Sequence, residues 1–264
     1  MIVRLNFFKR KKKKVALFLS GGAVRGIAHV GVLKAFEEFQ YPIDRLYGTS
    51  SGAIVASLYC SGIKSDELFK IIQTMSIRDF VKFKLSRQAL FSSEAIQQFV
   101  ENQIGKIRFK DLKIPLGVFA TNIRTAQSKL IMDPNDDVAL AVRASSSMPG
   151  VFTPTVMHNE SYFDGALSYD RLANIDDTCD IKIACNAISH NELEEIPRTI
   201  HELMDRAVEC MMISKANYQS SNYTLQLDVV DQSMSSIDFK NREKLVEYGY
   251  QAIKAKKNEI EALL

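Results

Sequence analysis

Apolar and polar positions in the first quarter of this chain repeat one plan twice. Val15–Leu19 is an unbroken apolar run, the pattern of a strand covered on both faces in a parallel sheet. It leads into the glycine-rich turn Gly21-Gly22-Ala23-Val24-Arg25-Gly26, after which residues 27–39 show helical spacing, with Ile27, Val30, Val32 and Leu33 set among Ala28, Gly31 and Ala35. The second unit predicts a strand over residues 43–47, a turn at Gly48-Thr49-Ser50-Ser51-Gly52, and a helix over residues 53–61 that ends at Gly62. Two successive strand–turn–helix units predict an α/β fold on an open parallel sheet whose functional loops share the carboxyl edge.

From residue 65 to residue 113 the texture becomes helical. Leu68, Ile71, Ile72 and Met75 form one apolar stripe, Ala95, Ile96, Phe99, Val100 and Ile104 another, and Ser93-Glu94 reads as a helix start. Between the stripes Phe80-Val81-Lys82-Phe83-Lys84-Leu85 mixes apolar and basic residues. This region is expected to leave the sheet, either as an amphipathic cover on the core or, more sharply, as a lid or a membrane rim. Residues 114–122 and 128–132 read as paired strands around a turn at Arg124-Thr125-Ala126, residues 181–187 and 225–230 as further strands, and residues 241–264 as an amphipathic closing helix.

Composition narrows the picture. A chain of 264 residues, 46% hydrophobic and 25% charged, fits one α/β domain with a sizeable core, or at most two small ones. The expected division is a basic arm over residues 1–14 and one domain over residues 15–264. The net charge is only +3 but it is uneven, because Lys9, Arg10, Lys11, Lys12, Lys13 and Lys14 form an unbroken basic run. Such a block is usually a solvated arm. Its functional reading is attraction to an anionic membrane surface, at about 1 kcal/mol per Lys or Arg, with Phe7 and Phe8 entering the interface. No base-reading motif accompanies the run, so no nucleic-acid partner is expected.

The basic run followed by Val15–Leu19 imitates a secretory leader, but a helix start follows where a cleavage site belongs, so the segment reads as a first strand. No apolar run reaches the ~18 residues of a spanning helix. Cys60, Cys179, Cys185 and Cys210 lack C-x-x-C spacing, which argues against a zinc site and a dense disulfide framework and suits reduced thiols in a cytosol.

The chemistry centres on Ser50. Gly48 and Gly52 flank it as G-x-S-x-G, a spacing that permits a sharp strand-to-helix turn with an exposed serine hydroxyl. By composition alone a chain this long carries that pattern about one time in ten. A nucleophilic serine needs a base and donors for the developing oxyanion. The turn after Val15–Leu19 supplies donors as backbone N–H groups at a helix start. It could also cradle phosphate, although it is neither G-x-x-x-x-G-K-[ST] nor G-x-G-x-x-G. The base is harder to find. His29 lies inside the first predicted helix, and His158, His190 and His201 stand in segments with no other catalytic signature. A carboxylate is the alternative, and Asp164, before Gly165 and Ala166, is placed at the end of an apolar pair; an isolated Asp-Gly would read as a hairpin turn.

Together these segments resemble the patatin-like phospholipase family. The resemblance rests on the Gly21–Gly26 turn with Ala28-His29-Val30-Gly31-Val32-Leu33 behind it, on Gly48-Thr49-Ser50-Ser51-Gly52-Ala53, on Arg143-Ala144-Ser145-Ser146-Ser147-Met148-Pro149-Gly150-Val151-Phe152, and on Asp164-Gly165-Ala166, in that order. It implies a three-layer α/β/α fold with a central, mostly parallel sheet and a Ser/Asp dyad that uses no histidine. Ser50 is then the nucleophile, Asp164 the general base, and Gly21, Gly22 and Ala23 the source of oxyanion N–H groups. Arg25 either contacts a substrate phosphate or fixes the loop, the second being preferred. The implied activity is a lipid acyl hydrolase on phospholipids or lysophospholipids, needing no metal or cofactor, in the cytoplasm or peripheral at the inner face of the membrane. The alternatives are a soluble carboxylesterase on short acyl esters and a non-catalytic lipid-binding regulator. Two departures stand out: Ala23 replaces the usual third glycine of the loop, and the stretch after Ala166 lacks the usual Asn and Pro.

Overall fold

Val15–Leu19 form β1, and all five residues are buried. A strand apolar on both faces is stable only between covered layers, and β1 accordingly lies inside the main sheet. The computed structural model describes residues 12–83, 89–168, 178–188, 223–231 and 239–264, together with residues 196, 198, 203, 206, 207, 209–211 and 214. Across the sheet the order is Leu225–Asp228 (β11), Ile181–Asn186 (β10), β1, Arg45–Thr49 (β2), Leu116–Asn122 (β5), Glu160–Asp164 (β9) and Thr155–Met157 (β8). From β11 to β5 all pairings are parallel, and β9 and β8 are added antiparallel. Ser128–Ile131 (β6) forms the expected antiparallel pair with β5.

The two faces of β1 separate by alternation. Val15, Leu17 and Leu19 join the large core, with Val32, Leu33 and Phe36 of Ala28–Glu38 (α1) and Ala53 and Ala56 of Ser51–Ser61 (α2). Ala16 and Phe18 point the other way, where the Phe18 and Tyr47 rings stack with centroids 4.6 Å apart. Val138–Ser145 (α5) and Arg242–Ala255 (α6) complete the helical cover of the first face, through Val138, Val142, Leu245 and Ile253. Helices α1 and α6 cross with almost no separation: a Cβ at Gly31 would lie 1.8 Å from the Val246 carbonyl oxygen, and one at Gly249 1.9 Å from that of Ala28.

Several boundaries differ from expectation for local reasons. A 3-10 turn over Ala23–Ile27 precedes α1, so the glycine loop tightens before the α-helix begins. The second strand starts two residues later than the periodicity predicts, because Asp44 is used as a tie, its carboxylate accepting from Val15 N–H at 2.8 Å. The stretch over residues 65–113 is mixed. It holds Ser65–Thr74 (α3) and Glu94–Ile104 (α4), but also Lys82–Phe83 (β3) and Ala89–Ser92 (β4), which form a second sheet with Gly150–Phe152 (β7). The closing segment is two helices, α6 and Lys257–Leu263 (α7). Of the basic run, residues 9–11 lie outside the described residues; Lys13 donates through its ammonium to the Leu263 carbonyl at 2.5 Å. Among the described residues no helix is long and apolar enough to cross a membrane, and all four cysteines are free thiols.

Candidate active site

Ser50 sits between β2 and α2 with φ 52° and ψ −126°. That region is unfavourable for a residue with a Cβ, at a cost of about 1–3 kcal/mol, and persists only where the surroundings over-determine it. The flanking glycines are part of that determination. A Cβ at Gly52 would fall 2.3 Å from the Leu19 carbonyl oxygen, and one at Gly48 2.5 Å from Ala53 Cα. The elbow is thus pressed between the end of β1 and the first turn of its own helix.

Asp164 reaches the same place by strand topology. Along β5, β6 covers one edge over residues 118–121, so β2 and β9 must share the opposite edge. β2 pairs there up to Thr49 opposite Phe119, and β9 takes over with Asp164 opposite Ala120. The two strands meet end to end at consecutive residues of β5, ~3.3 Å apart along the strand. Ser50 and Asp164 are the residues at that meeting point. Gly165 makes the close approach feasible, since a Cβ there would come within 2.1 Å of the Phe119 oxygen and 3.1 Å of the Thr49 methyl.

The last turn of α5 touches both. Ser145 Oγ accepts from Ser50 N–H at 2.8 Å and donates to the Phe119 carbonyl at 2.6 Å. Two residues on, the Ser147 carbonyl accepts from Asp164 N–H at 3.0 Å, and Ser147 Oγ donates to the Arg143 carbonyl at 2.8 Å. Asp164 is fully buried; its Oδ1 accepts from Ala166 N–H at 2.9 Å, and its carbonyl accepts from Thr121 Oγ1 at 2.8 Å.

Gly21, Gly22 and Ala23 face the same cavity as Ser50 and Asp164. Ala23 tolerates its position with φ 51°, the left-handed region that the usual glycine adopts without cost. The loop is tied to the sheet through Ser20, whose Oγ donates to the Gly21 carbonyl and accepts from Ala187 N–H, both at 2.8 Å. His29 pins it from α1: fully buried, it bonds the Ser20 carbonyl at 2.9 Å. A carbonyl only accepts, so Nε2 carries the proton, and burial pushes the imidazole pKa down to about 4. Arg25 is buried and pairs with Glu209 at 2.9 Å, which also receives Arg206 at 2.8 Å. Of the other histidines, His158 is an exposed partner of Asp136 at 2.7 Å, and His190 and His201 lie outside the described residues, as does the stretch after Ser168 that departs from the family pattern.

From this edge an apolar cavity of about 800 Å³ runs between α2, α3 and α4. Ile54 and Leu58 line it from α2, Ile72 and Met75 from α3 and the residue after it, and Phe91 and Phe152 from the small second sheet. Among the described residues no group of three His, Cys, Asp or Glu side chains is arranged to hold a metal. Sequence reading singles out Ser50, Asp164 and the loop, and the fold brings all of them to one cavity. It misses the parts played by Ser145, Ser147 and Glu209; the first two lie in the serine run of the Arg143–Phe152 block, the only signal they offer.

Residues 17–175, more than half of the chain, match the family described as Patatin-like phospholipase. An uncharacterized NTE family protein of Mycobacterium tuberculosis is 29% identical over 157 residues, covering 58% of this chain and 43% of that protein. The neuropathy target esterase sws of Drosophila persimilis is 29% identical over 152 residues, 53% of this chain and 10% of that protein. The chain therefore spans less than half the length of these relatives. Among solved structures, VipD from Legionella pneumophila superposes with a TM-score of 0.61 at 12% identity, over 94% of this chain and 67% of that one, a likeness of fold alone.

Proposed function

The chain belongs to the patatin-like phospholipase family, and from that premise we propose that it is a lipid acyl hydrolase cleaving carboxylic esters of phospholipids or lysophospholipids. Ser50 Oγ attacks the acyl carbonyl carbon while its proton passes to the Asp164 carboxylate. The oxyanion that forms is met by backbone N–H groups of Gly21, Gly22 and Ala23 at the head of the 3-10 turn, fixed donors that need no reorganisation. Collapse breaks the ester bond, and the departing alcohol takes the proton back from Asp164. Water then attacks the acyl-Ser50 ester and gives its proton to Asp164; the acyl–Oγ bond breaks, the fatty acid leaves, and Ser50 Oγ takes the proton from Asp164, restoring both residues. Arg25, paired with Glu209, fixes the loop in this scheme. Residues 15–264 act as the catalytic unit, with residues 1–14 as an arm.

The observation that carries this reading is the largely apolar cavity of about 800 Å³ that Ser50 and Asp164 line. At roughly 30 Å³ for each water-sized group, it has room for about 25 carbon atoms. A short-chain esterase would leave most of that apolar surface unfilled. Ile77 and Ile196 line the cavity and are largely exposed, which supports entry of the acyl chain from a lipid surface, and the Lys9–Lys14 run would add attraction for anionic headgroups.

The test is fatty-acid release from mixed anionic vesicles, with fluorophosphonate labelling in parallel. The wild type should release fatty acid and take the label at Ser50. Ser50→Ala should do neither, and Asp164→Asn should lower turnover by at least ~10²-fold, the scale of a lost general base. Equal labelling of Ser50→Ala, or near-wild-type turnover of Asp164→Asn, would reject the corresponding assignment.

A further inference from the structure

The backbone N–H of Ser50 is held by a hydroxyl, not by the sheet. β2 pairs with β5 through Thr49 opposite Phe119, and at the next residue the chain turns away into the elbow. Between Ser50 N–H and the Phe119 carbonyl lies Ser145 Oγ, 2.8 Å from one and 2.6 Å from the other. The direction of this relay is forced: an amide N–H only donates and a carbonyl only accepts, so the Ser145 hydroxyl hydrogen must point at Phe119 and a lone pair at Ser50. Ser145 has no exposed surface. Its hydroxyl therefore replaces a strand-to-strand hydrogen bond at the point where the strand ends.

We infer that Ser145 is a positioning residue for the nucleophile, fixing the positive φ of Ser50 and thereby the direction of its Oγ toward Asp164. The inference rests on the reading of Ser50 as nucleophile. Three observations converge on it. The elbow is strained, so it needs a restraint on its N-terminal side; the glycine contacts supply bulk but no direction. The relay consumes the N–H of Ser50 itself, which leaves oxyanion binding to N–H groups outside that residue, in keeping with the loop at Gly21–Ala23. And the same helix end holds Asp164 through the Ser147 carbonyl at 3.0 Å, with Ser147 Oγ 2.8 Å from Thr155 Oγ1. One turn of chain thus sets the backbone of both reacting residues, so that their separation does not depend on either strand alone.

Removing the Ser145 hydroxyl leaves the Ser50 N–H and the Phe119 carbonyl without the group that bridges them. The restraint on the elbow is then lost, and rotation about Ser50 carries Oγ out of line. The experiment is the time course of fluorophosphonate labelling, whose amplitude counts folded sites and whose rate constant reports how well Ser50 is poised. For Ser145→Ala we expect full amplitude and a rate constant lower by roughly 10- to 100-fold, the cost of a displacement of about an ångström. Ser145→Thr keeps the oxygen and should recover to within about 3-fold of wild type. For a soluble ester, Ser145→Ala should lower kcat and leave KM unchanged. A rate constant near wild type for Ser145→Ala, or a loss confined to amplitude, overturns the inference by reducing Ser145 to a packing residue. A wild type that takes no label at Ser50 instead rejects the nucleophile assignment beneath it.

Discussion

His29 shows how one buried polar side chain can link pH to the geometry of the loop. Its ring lies wholly inside the protein and donates to the carbonyl of Ser20, the residue before Gly21. Burial disfavours the charged form, which holds the folded-state pKa at about 4 against 6.5 for a free imidazole. Between those values the unfolded chain binds a proton that the folded chain does not, so stability falls as pH drops from about 6.5 to 4 and is unaffected above that window. The linkage amounts to about 3 kcal/mol, a large share of the ~5–15 kcal/mol that holds a domain together. His29→Gln keeps an N–H donor without the titration. Urea unfolding at pH 7 and pH 4 should show the wild type losing about 3 kcal/mol more than His29→Gln, and parallel losses would mean that His29 takes up its proton in the folded state. At this scale the sequence is unevenly readable. Ser50 can be found because Gly48 and Gly52 act on their own neighbours in the chain. Asp164 cannot be told from a hairpin Asp-Gly, because what makes it special is a strand edge supplied by residues 116–122. In the run Ser145-Ser146-Ser147 nothing local distinguishes the relay from its neighbours.

Elements follow the same rule of locality. β1 has the boundaries its apolar run predicts, and α2 ends at Gly62, whose φ of 111° suits a glycine terminator. The β3-β4-β7 sheet has no such signal: β4 is four residues long, and its parallel partner β7 lies about 60 residues on in sequence. Alternation over four positions is too short to outweigh helical stripes on both sides. The crossing of α1 and α6 is another non-local feature, and it makes a prediction contrary to helix propensity. Gly→Ala in a helix ordinarily stabilises by about 1 kcal/mol. At Gly249 the added methyl would sit 1.9 Å from the Ala28 carbonyl oxygen, and this backbone cannot yield as a side-chain end could. Gly249→Ala should therefore lower the thermal midpoint, by several degrees if the clash costs 1–3 kcal/mol net in the range of overpacked cores. An unchanged or raised midpoint would show that the helices can separate at little cost.

At the scale of the whole molecule, the proposed activity would make the helical layer along the cavity a gauge of acyl length. α2 begins at the residue after Ser50, and Ile54 and Leu58 line the cavity one and two turns along it. With a rise of ~1.5 Å per residue, Leu58 lies about 12 Å from Ser50 along the helix. An extended chain advances about 1.2 Å per bond, so roughly ten carbons reach that point. Farther on, Phe80 stands between Phe99 and Phe239, ring centroids 4.7 and 6.5 Å away, and Arg242 caps the end of α3 through the carbonyls of Ile72, Gln73 and Met75. The walls along α2 and α3 are thus largely apolar, and each methylene that enters them gains up to about 0.8 kcal/mol, or about 4-fold in kcat/KM. Across a series of nitrophenyl esters, kcat/KM should climb from butyrate to at least decanoate. Ile54→Trp, which fills the channel one turn from Ser50, should flatten the climb and lower the ratio of the dodecanoate rate to the butyrate rate. A flat series in the wild type would mean that the acyl chain lies outside the cavity, and a steep one in Ile54→Trp that it takes a route other than along α2.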